Sequence, residues 1–304
     1  MQTQRRRSVM ASLVLVAVMV LAAGAAMAVL AIGPNAATPA KTGGTEQAAG
    51  PNSGTITALS HVPSAPTAAI VTTSNNWAGF AETATAGTIL EVFGEWLVPT
   101  VTCTGAPGGT LVGTWVGIDG YGNGEVEQAG TSASCSGAGA TPVYYDWWEF
   151  YPYNSAVNKY HVSPGDFMQV YILYNPYVTV NGHRGIYTLV VSDLNHYGDS
   201  FSVTGNPSTC NAKGACETGP DASAECISEK ASSYLAKYGT TTFLSCDSTI
   251  GSTFSGIGGH GSHVTLYRID QVGPVTTLTD QSTSGLSTYD YTDDHFTITW
   301  HHYH

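Results

Sequence analysis

From Thr72 onward the chain is a succession of short runs of β-branched and aromatic residues, cut apart by Gly, Asn, Asp and Pro. Side chains branched at Cβ pack well on a pleated surface, and turn residues interrupt each run before a helix could form. Strands are expected over residues 88–99, 110–118, 144–151, 167–175, 185–193, 240–244, 264–272 and 295–303. Over 167–173 apolar side chains fall on both faces, as in a strand lying inside a two-sheet stack. The pattern predicts an all-β fold, an antiparallel two-sheet β-sandwich of the concanavalin or jelly-roll kind. One stretch dissents: residues 224–238 are rich in Ala, Ser, Glu, Lys and Leu, and propensity alone reads them as helix.

The sandwich does not account for the whole chain. Arg5, Arg6 and Arg7 precede an almost unbroken apolar run from Val9 to Ile32. That is the layout of an export signal, and the run is also long enough to span a bilayer. Residues 1–32 are read as a signal peptide, with Ala26-Met27-Ala28 as a cleavage site, or as a retained membrane anchor. Both readings put the remainder outside the cytoplasm. Residues 33–71 are Ala, Gly, Thr, Pro and Ser with few large apolar side chains, and read as a flexible linker or short pro-segment. Residues 72–304 have the size of one β domain.

Charge narrows the function further. From residue 71 on there are twenty-one Asp and Glu against six Lys and Arg. No basic patch exists, which excludes nucleic-acid binding. So few cations can hold few carboxylates in salt bridges, and acid then mainly relieves self-repulsion. This composition suits a protein working in acid; a salt-tolerant surface would look similar. Six cysteines on an exported chain imply disulfides. Cys210–Cys216 closes a short loop, and Cys103–Cys135 and Cys226–Cys246 follow by neighbourhood. Nothing marks an oligomer face, so a monomer is expected.

A serine triad would need a histidine placed beside the nucleophile; the best local patterns, His260-Gly261-Ser262-His263 and Trp300-His301-His302-Tyr303-His304, lack the Gly-x-Ser-x-Gly elbow. His260 and His263 sit three apart on a glycine-rich loop, a weak metal pattern. Carboxylates are the better starting point. A buried Glu with a raised pKa serves first as general base and then as general acid, provided a partner holds the water and stabilises the oxyanion. The runs that combine carboxylates with aromatics and glycines are Trp115-Val116-Gly117-Ile118-Asp119-Gly120, Glu127-Gln128-Ala129-Gly130, Trp147-Trp148-Glu149-Phe150-Tyr151-Pro152 and Ala224-Glu225. Ser74-Asn75-Asn76-Trp77-Ala78-Gly79 precedes them, and Lys237-Tyr238-Gly239-Thr240-Thr241-Thr242-Phe243 follows.

In this order and spacing the motifs resemble the glutamic peptidase (eqolisin) family over most of residues 74–300. The resemblance implies a secreted acid endopeptidase acting on protein or peptide substrates without a cofactor or metal, at roughly pH 2–5. Its dyad falls on Gln128 and Glu225. Glu225 would take a proton from the attacking water and return it to the leaving amine, while the Gln128 amide holds that water and donates to the oxyanion. Trp115, Asp119, Trp147 and Glu149 match residues lining the family's substrate groove. The resemblance places residues 224–228 in a strand, with the helix-prone stretch 229–237 as the connection. Cys226 stands where many relatives carry an aromatic residue, Ser132 where some carry an acid, and residues 33–70 hold only Lys41 where fungal pro-segments are lysine-rich. A carbohydrate-active or carbohydrate-binding sandwich is the alternative, because tryptophans beside acids also suit sugars. It would leave Gln128 without a role.

Overall fold

The computed structural model describes residues 69–180, 183–205, 219–272, 279–282 and 295–303. The apolar N-terminal run, nearly all of the linker and the Cys210–Cys216 pairing lie outside these residues.

In chain order the strands are β1 Ile70–Ser74, β2 Trp77–Thr83, β3 Ile89–Leu97, β4 Thr110–Ile118, β5 Val126–Cys135, β6 Val143–Tyr151, β7 Val157–His161, β8 Phe167–Val180 and β9 His183–Asp193. They continue with β10 Phe201–Gly205, β11 Ser223–Glu229, β12 Tyr234–Leu235, β13 Thr240–Ile250, β14 Thr253–Gly256, β15 Thr265–Gln271, β16 Thr279–Ser282 and β17 Phe296–Trp300. One sheet runs β1-β15-β2-β11-β4-β5-β6-β7, with β12 also beside β4. The other runs β10-β9-β8-β3-β13-β17-β16, with β14 also beside β13. Pairing is antiparallel except between β1 and β15 and between β12 and β4. The architecture is the expected sandwich.

Between the sheets lies the main core. Phe80 of β2 meets Phe296 edge-on at 4.8 Å, Phe296 stacks on Phe243, and Phe243 packs against Trp96. All four side chains are fully or almost fully buried, each removing roughly 150–250 Å² from water. The Cys226–Cys246 disulfide joins β11 in one sheet to β13 in the other, and Cys103–Cys135 ties the end of β5 to the loop after β3. The first sheet also has an apolar outer face. Ala81, Trp115, Val126, Trp147, Ile227 and Ile269 form a second buried cluster, with Trp77 and Tyr121 against it. A sheet that is apolar on both faces explains why β4 shows no polar alternation.

Residues 229–237 contain no helix, contrary to their propensity. Glu229 ends strand β11, and the following backbone is taken up by neighbours. Lys230 N donates to Asn76 O (2.7 Å), Leu235 N to Tyr303 O (2.7 Å) and Thr102 N to Lys237 O (2.8 Å). Those partners outweigh a preference of a few tenths of a kcal/mol per residue.

Candidate active site

The register of the first sheet builds the site. Glu225 of β11 pairs with Gly117 of β4, Gly117 pairs with Gln128 of β5, and Gln128 pairs with Glu149 of β6. Residues directly opposite across a ladder point to the same face. Glu225, Gln128 and Glu149 therefore share one row, and the residue between the first two has no side chain. Two strand spacings, roughly 10 Å, separate the backbones of Glu225 and Gln128. Ala224 and Cys226 point into the main core, which leaves Glu225 on the outer face.

The next row down, Ile227, Trp115, Gly130 and Trp147, forms the apolar floor. Gly130 is required there. A Cβ at that position would run into the Thr114 carbonyl oxygen and lie 2.6 Å from the Trp115 Cβ. Above the floor opens a groove of about 650 Å³, lined by Gln128, Trp147, Glu149, Trp77, Tyr145 and Glu229 among others.

Each polar side chain has a distinct setting. Gln128 Nε2 donates to Glu149 Oε2 at 2.9 Å, while its Oε1 has no partner. Burial raises the Glu149 pKa, and the like charge of Glu229 adds to the rise. Glu225 is fully buried, with Tyr121 N donating to its Oε1 at 3.2 Å. Its Oε2 lacks a well-formed hydrogen bond, although the Ser223 hydroxyl is near. Burial pushes the Glu225 carboxyl well above the usual range, and the charge of Asp119 pushes the same way. The Trp147 indole N–H is buried and unpartnered.

Glu225, Asp119 and Trp115 are fully buried and are not among the residues lining the groove. Asp119 adopts a left-handed backbone (φ 66°) and is fully buried. Its carboxylate accepts from Asp221 N (2.8 Å), Ala222 N (3.0 Å) and Asn123 Nδ2 (3.1 Å). It thereby fixes the chain entering β11, two residues before Glu225. Trp115 lies in the floor and donates through Nε1 to Glu229 Oε2 at 2.9 Å. Trp77 packs edge-on against Trp115 at 5.0 Å. His260 is buried away from the groove, with Nε2 2.9 Å from Ser248 Oγ.

The sequence matches the Peptidase A4 family over residues 75–292, which is most of the chain and all of the site. The chain belongs to the peptidase A4 family. It is a glutamic-type endopeptidase, and that assignment decides against the carbohydrate reading. No curated protein matches it. Among solved structures it is similar to scytalido-glutamic peptidase with a transition state analogue inhibitor (TM-score 0.54, 18% identity, 76% of this chain and 100% of that one). It is also similar to SCP-B, a member of the eqolisin family in complex with the tripeptide Ala-Ile-His (TM-score 0.53, 17% identity, 76% and 100%). At such identities the likeness speaks for the fold.

Glu229, a candidate carboxylate in the sequence but not assigned to the groove, lines the groove of this A4 peptidase, as do Asn76 and Tyr145, which no motif marked. Glu229 follows Glu225 and Ile227 on the same face of β11, an i, i+2, i+4 alternation. It was hidden by assigning Glu229 to a connecting segment.

Proposed function

We propose that this chain is an exported, monomeric acid endopeptidase whose dyad is Glu225 and Gln128. What supports the reading most is the row in which these two side chains flank Gly117. The solved relatives hold a transition state analogue or a tripeptide, and we take the groove of this chain to hold a peptide likewise.

A water lying over Gly117 lies between a base and an amide. Glu225 in its ionised form takes a proton from that water as it attacks the scissile carbonyl. The second N–H of Gln128, the one not given to Glu149, donates to the oxygen that becomes negative. The protonated Glu225 then delivers its proton to the leaving amine. Burial makes the ionised Glu225 a stronger base but keeps most of this carboxyl protonated in acid, so only the ionised fraction starts the reaction, and the same carboxyl then serves as the acid. The bond between Gln128 and Glu149 fixes the amide plane, which aims the free N–H. An amide donor stays uncharged in acid. The Trp147 indole N–H is placed to meet a substrate carbonyl.

The test is hydrolysis of denatured protein at roughly pH 2–5, with and without a chelator, by the native chain and two variants. Glu225→Gln should abolish turnover, because an amide is no base in acid. Gln128→Ala should cost on the order of 10²–10³ in kcat, the usual loss for an oxyanion donor. Near-normal activity of Gln128→Ala, or loss of activity to the chelator, would overturn the dyad.

A further inference from the structure

One end of the sandwich gathers acids from both sheets, away from the groove. On β6, Tyr144 and Phe150 belong to the main core, so Asp146, in the same alternation, faces the second sheet. On β9, Tyr187, Leu189 and Val191 face the core, and Asp193 follows in step with them. Asp166 stands two residues before the core residue Met168. Asp146 and Asp193 are fully buried, and Asp166 is buried. Contacts between the edge strands bring these elements together. Tyr160 N of β7 donates to Asp146 Oδ1 at 2.6 Å, and the Tyr160 ring packs 6.2 Å from the Phe201 ring of β10. Phe201 pairs with Val191 of β9, and Asp193 N donates to Ser200 Oγ at 3.2 Å.

A histidine joins this cluster from the turn after β9. The donor atoms of Asp166, Asp193 and His196 all lie within 4.8 Å of one another. His196 Nδ1 is 3.1 Å from Asp193 Oδ2 and 3.6 Å from Asp166 Oδ2. Donors bound to one ion at about 2.1–2.4 Å stand roughly 3–4.8 Å apart, so the spacing suits a shared cation. The turn is held in place: Asp193 Oδ1 accepts from Asn195 N (2.8 Å) and His196 N (3.0 Å), and Phe167 N donates to Asn195 Oδ1 (2.7 Å). Asp146 supplies an independent sign of a missing ligand. Its Oδ2 is buried and has no partner, and the charges of Asp193 and Asp199 both act on it. Asp199 acts on His196 as well, so it stands at the rim of the same cluster. Lys159 is the basic group acting on Asp146, and its ammonium lies over the Phe201 ring at 5.7 Å. The His196 side chain is 56% exposed, which leaves an ion a way in from solvent.

We infer that Asp166, Asp193 and His196 hold a divalent first-row transition ion, with Asp146 Oδ2 accepting a hydrogen bond from a water on that ion. Two carboxylates balance the charge of such an ion, and a neutral imidazole is the third ligand. Carboxylates suit Mn²⁺ and imidazole suits Zn²⁺, whereas Ca²⁺ takes oxygen ligands and gains little from the ring. A water bridging the ion to Asp146 links β9 of the second sheet to β6 of the first, and gives the orphaned oxygen its donor. The ion is structural. Asp146 lies on the opposite face of β6 from Tyr145 and Trp147, which line the groove. The inference is therefore independent of the peptidase reading.

The experiment uses the full chain, stripped with a chelator and dialysed to about pH 7, where the ligands are free of protons. Thermal melts are recorded with Mn²⁺, Zn²⁺ or Ca²⁺ at about 1 mM, and free Mn²⁺ is followed by its electron paramagnetic resonance signal during a titration. Mn²⁺ and Zn²⁺ should each raise Tm by roughly 5 °C, the shift for an ion near 100 times its Kd, and Ca²⁺ by less than about 1 °C. The titration should show one Mn²⁺ per chain. His196→Ala, at an exposed side chain that the fold does not need, should abolish both the shift and the binding. Asp146→Asn should keep the single ion and weaken it on the order of tenfold, the usual cost of losing a partner behind a metal ligand. Replacing His301 and His302 together by alanine should change neither. Absence of binding overturns the site, as do binding that survives His196→Ala, binding that is lost with His301 and His302, a Ca²⁺ shift equal to that of Mn²⁺, and an unchanged Kd in Asp146→Asn.

Discussion

Replacing Glu82 by glutamine should leave the fold as stable in acid as before and make it more stable above neutrality. Glu82 lies on the core side of β2 and is fully buried. Gly258 N donates to its Oε2 at 2.8 Å. Its Oε1 is hydrogen-bonded to Ser248 Oγ, which in turn lies 2.9 Å from His260 Nε2. A protonated Glu82 completes this chain without conflict: it donates to Ser248, Ser248 donates to His260, and Gly258 donates to the remaining oxygen. No cation compensates an ionised Glu82. Burial lowers the His260 pKa to about 4, and Asp247 adds a like charge. Burial raises Glu82 from 4.5 to about 7. A carboxyl raised in the folded state contributes stability that is complete below its unfolded value and is lost as pH climbs through the folded one. At about 1.4 kcal/mol per pH unit, that interval is worth about 3 kcal/mol. Glutamine copies the protonated acid, with its carbonyl facing Gly258 and its amide N–H facing Ser248. Urea unfolding at pH 4 and pH 8 measures the effect. Glu82→Gln should match the native chain at pH 4 within about 1 kcal/mol and exceed it by about 3 kcal/mol at pH 8. An equal difference at both pH values would refute the reasoning.

Two further substitutions probe the frame that carries the site. Gly130→Ala should prevent folding or destabilise by at least about 3 kcal/mol, because its Cβ strikes backbone rather than a side chain that can turn away. Gly113→Ala, whose Cβ finds ordinary contacts, should change the melting temperature little; equal losses for the two would contradict the packing described. Removing the Cys226–Cys246 disulfide by double alanine substitution frees a loop of about 20 residues, costing about 3 kcal/mol and about 6–12 °C of Tm in a scanning melt. A Tm shift under about 2 °C would show that the cross-link adds nothing to the packing between the sheets.

Strands were legible because their signal is local. Alternation and turn residues mark residues 110–118 and 167–173 without knowledge of any partner. The row that aligns Glu225 with Gln128 was not legible in this way, since it depends on pairing across 97 positions of sequence, and no local pattern encodes register. Motif order supplied those two residues instead. Asp119 shows the limit of that route: a carboxylate in an aromatic, glycine-rich run reads as a groove residue, yet its left-handed backbone turns it toward Asp221 N and Ala222 N. Glu229 shows the opposite error. Helix propensity concealed its place on β11, and only the pairing of β11 with β2 and β4 reveals that it shares a face with Glu225.

The excess of acid over base acquires a physical sense once burial is known. Glu127 is buried, and neither of its oxygens has a partner. Desolvation pushes it well above the usual carboxylate range, and Asp119, Asp221 and Glu125 push it further. Asp221, bonded to the Tyr187 hydroxyl, and Asp146, bonded to Tyr160 N, are each raised to about 7. Asp119 and Asp221 hold the turn that leads into Glu225. Burial favours the neutral forms of all these carboxyls. As pH rises, like charges accumulate around that turn with no Lys or Arg among the described partners to offset them. The burial that raises Glu225, the base of the proposed dyad, also raises the carboxyls around it. A chain with few cations can hold this many buried carboxyls only where most of them keep their protons.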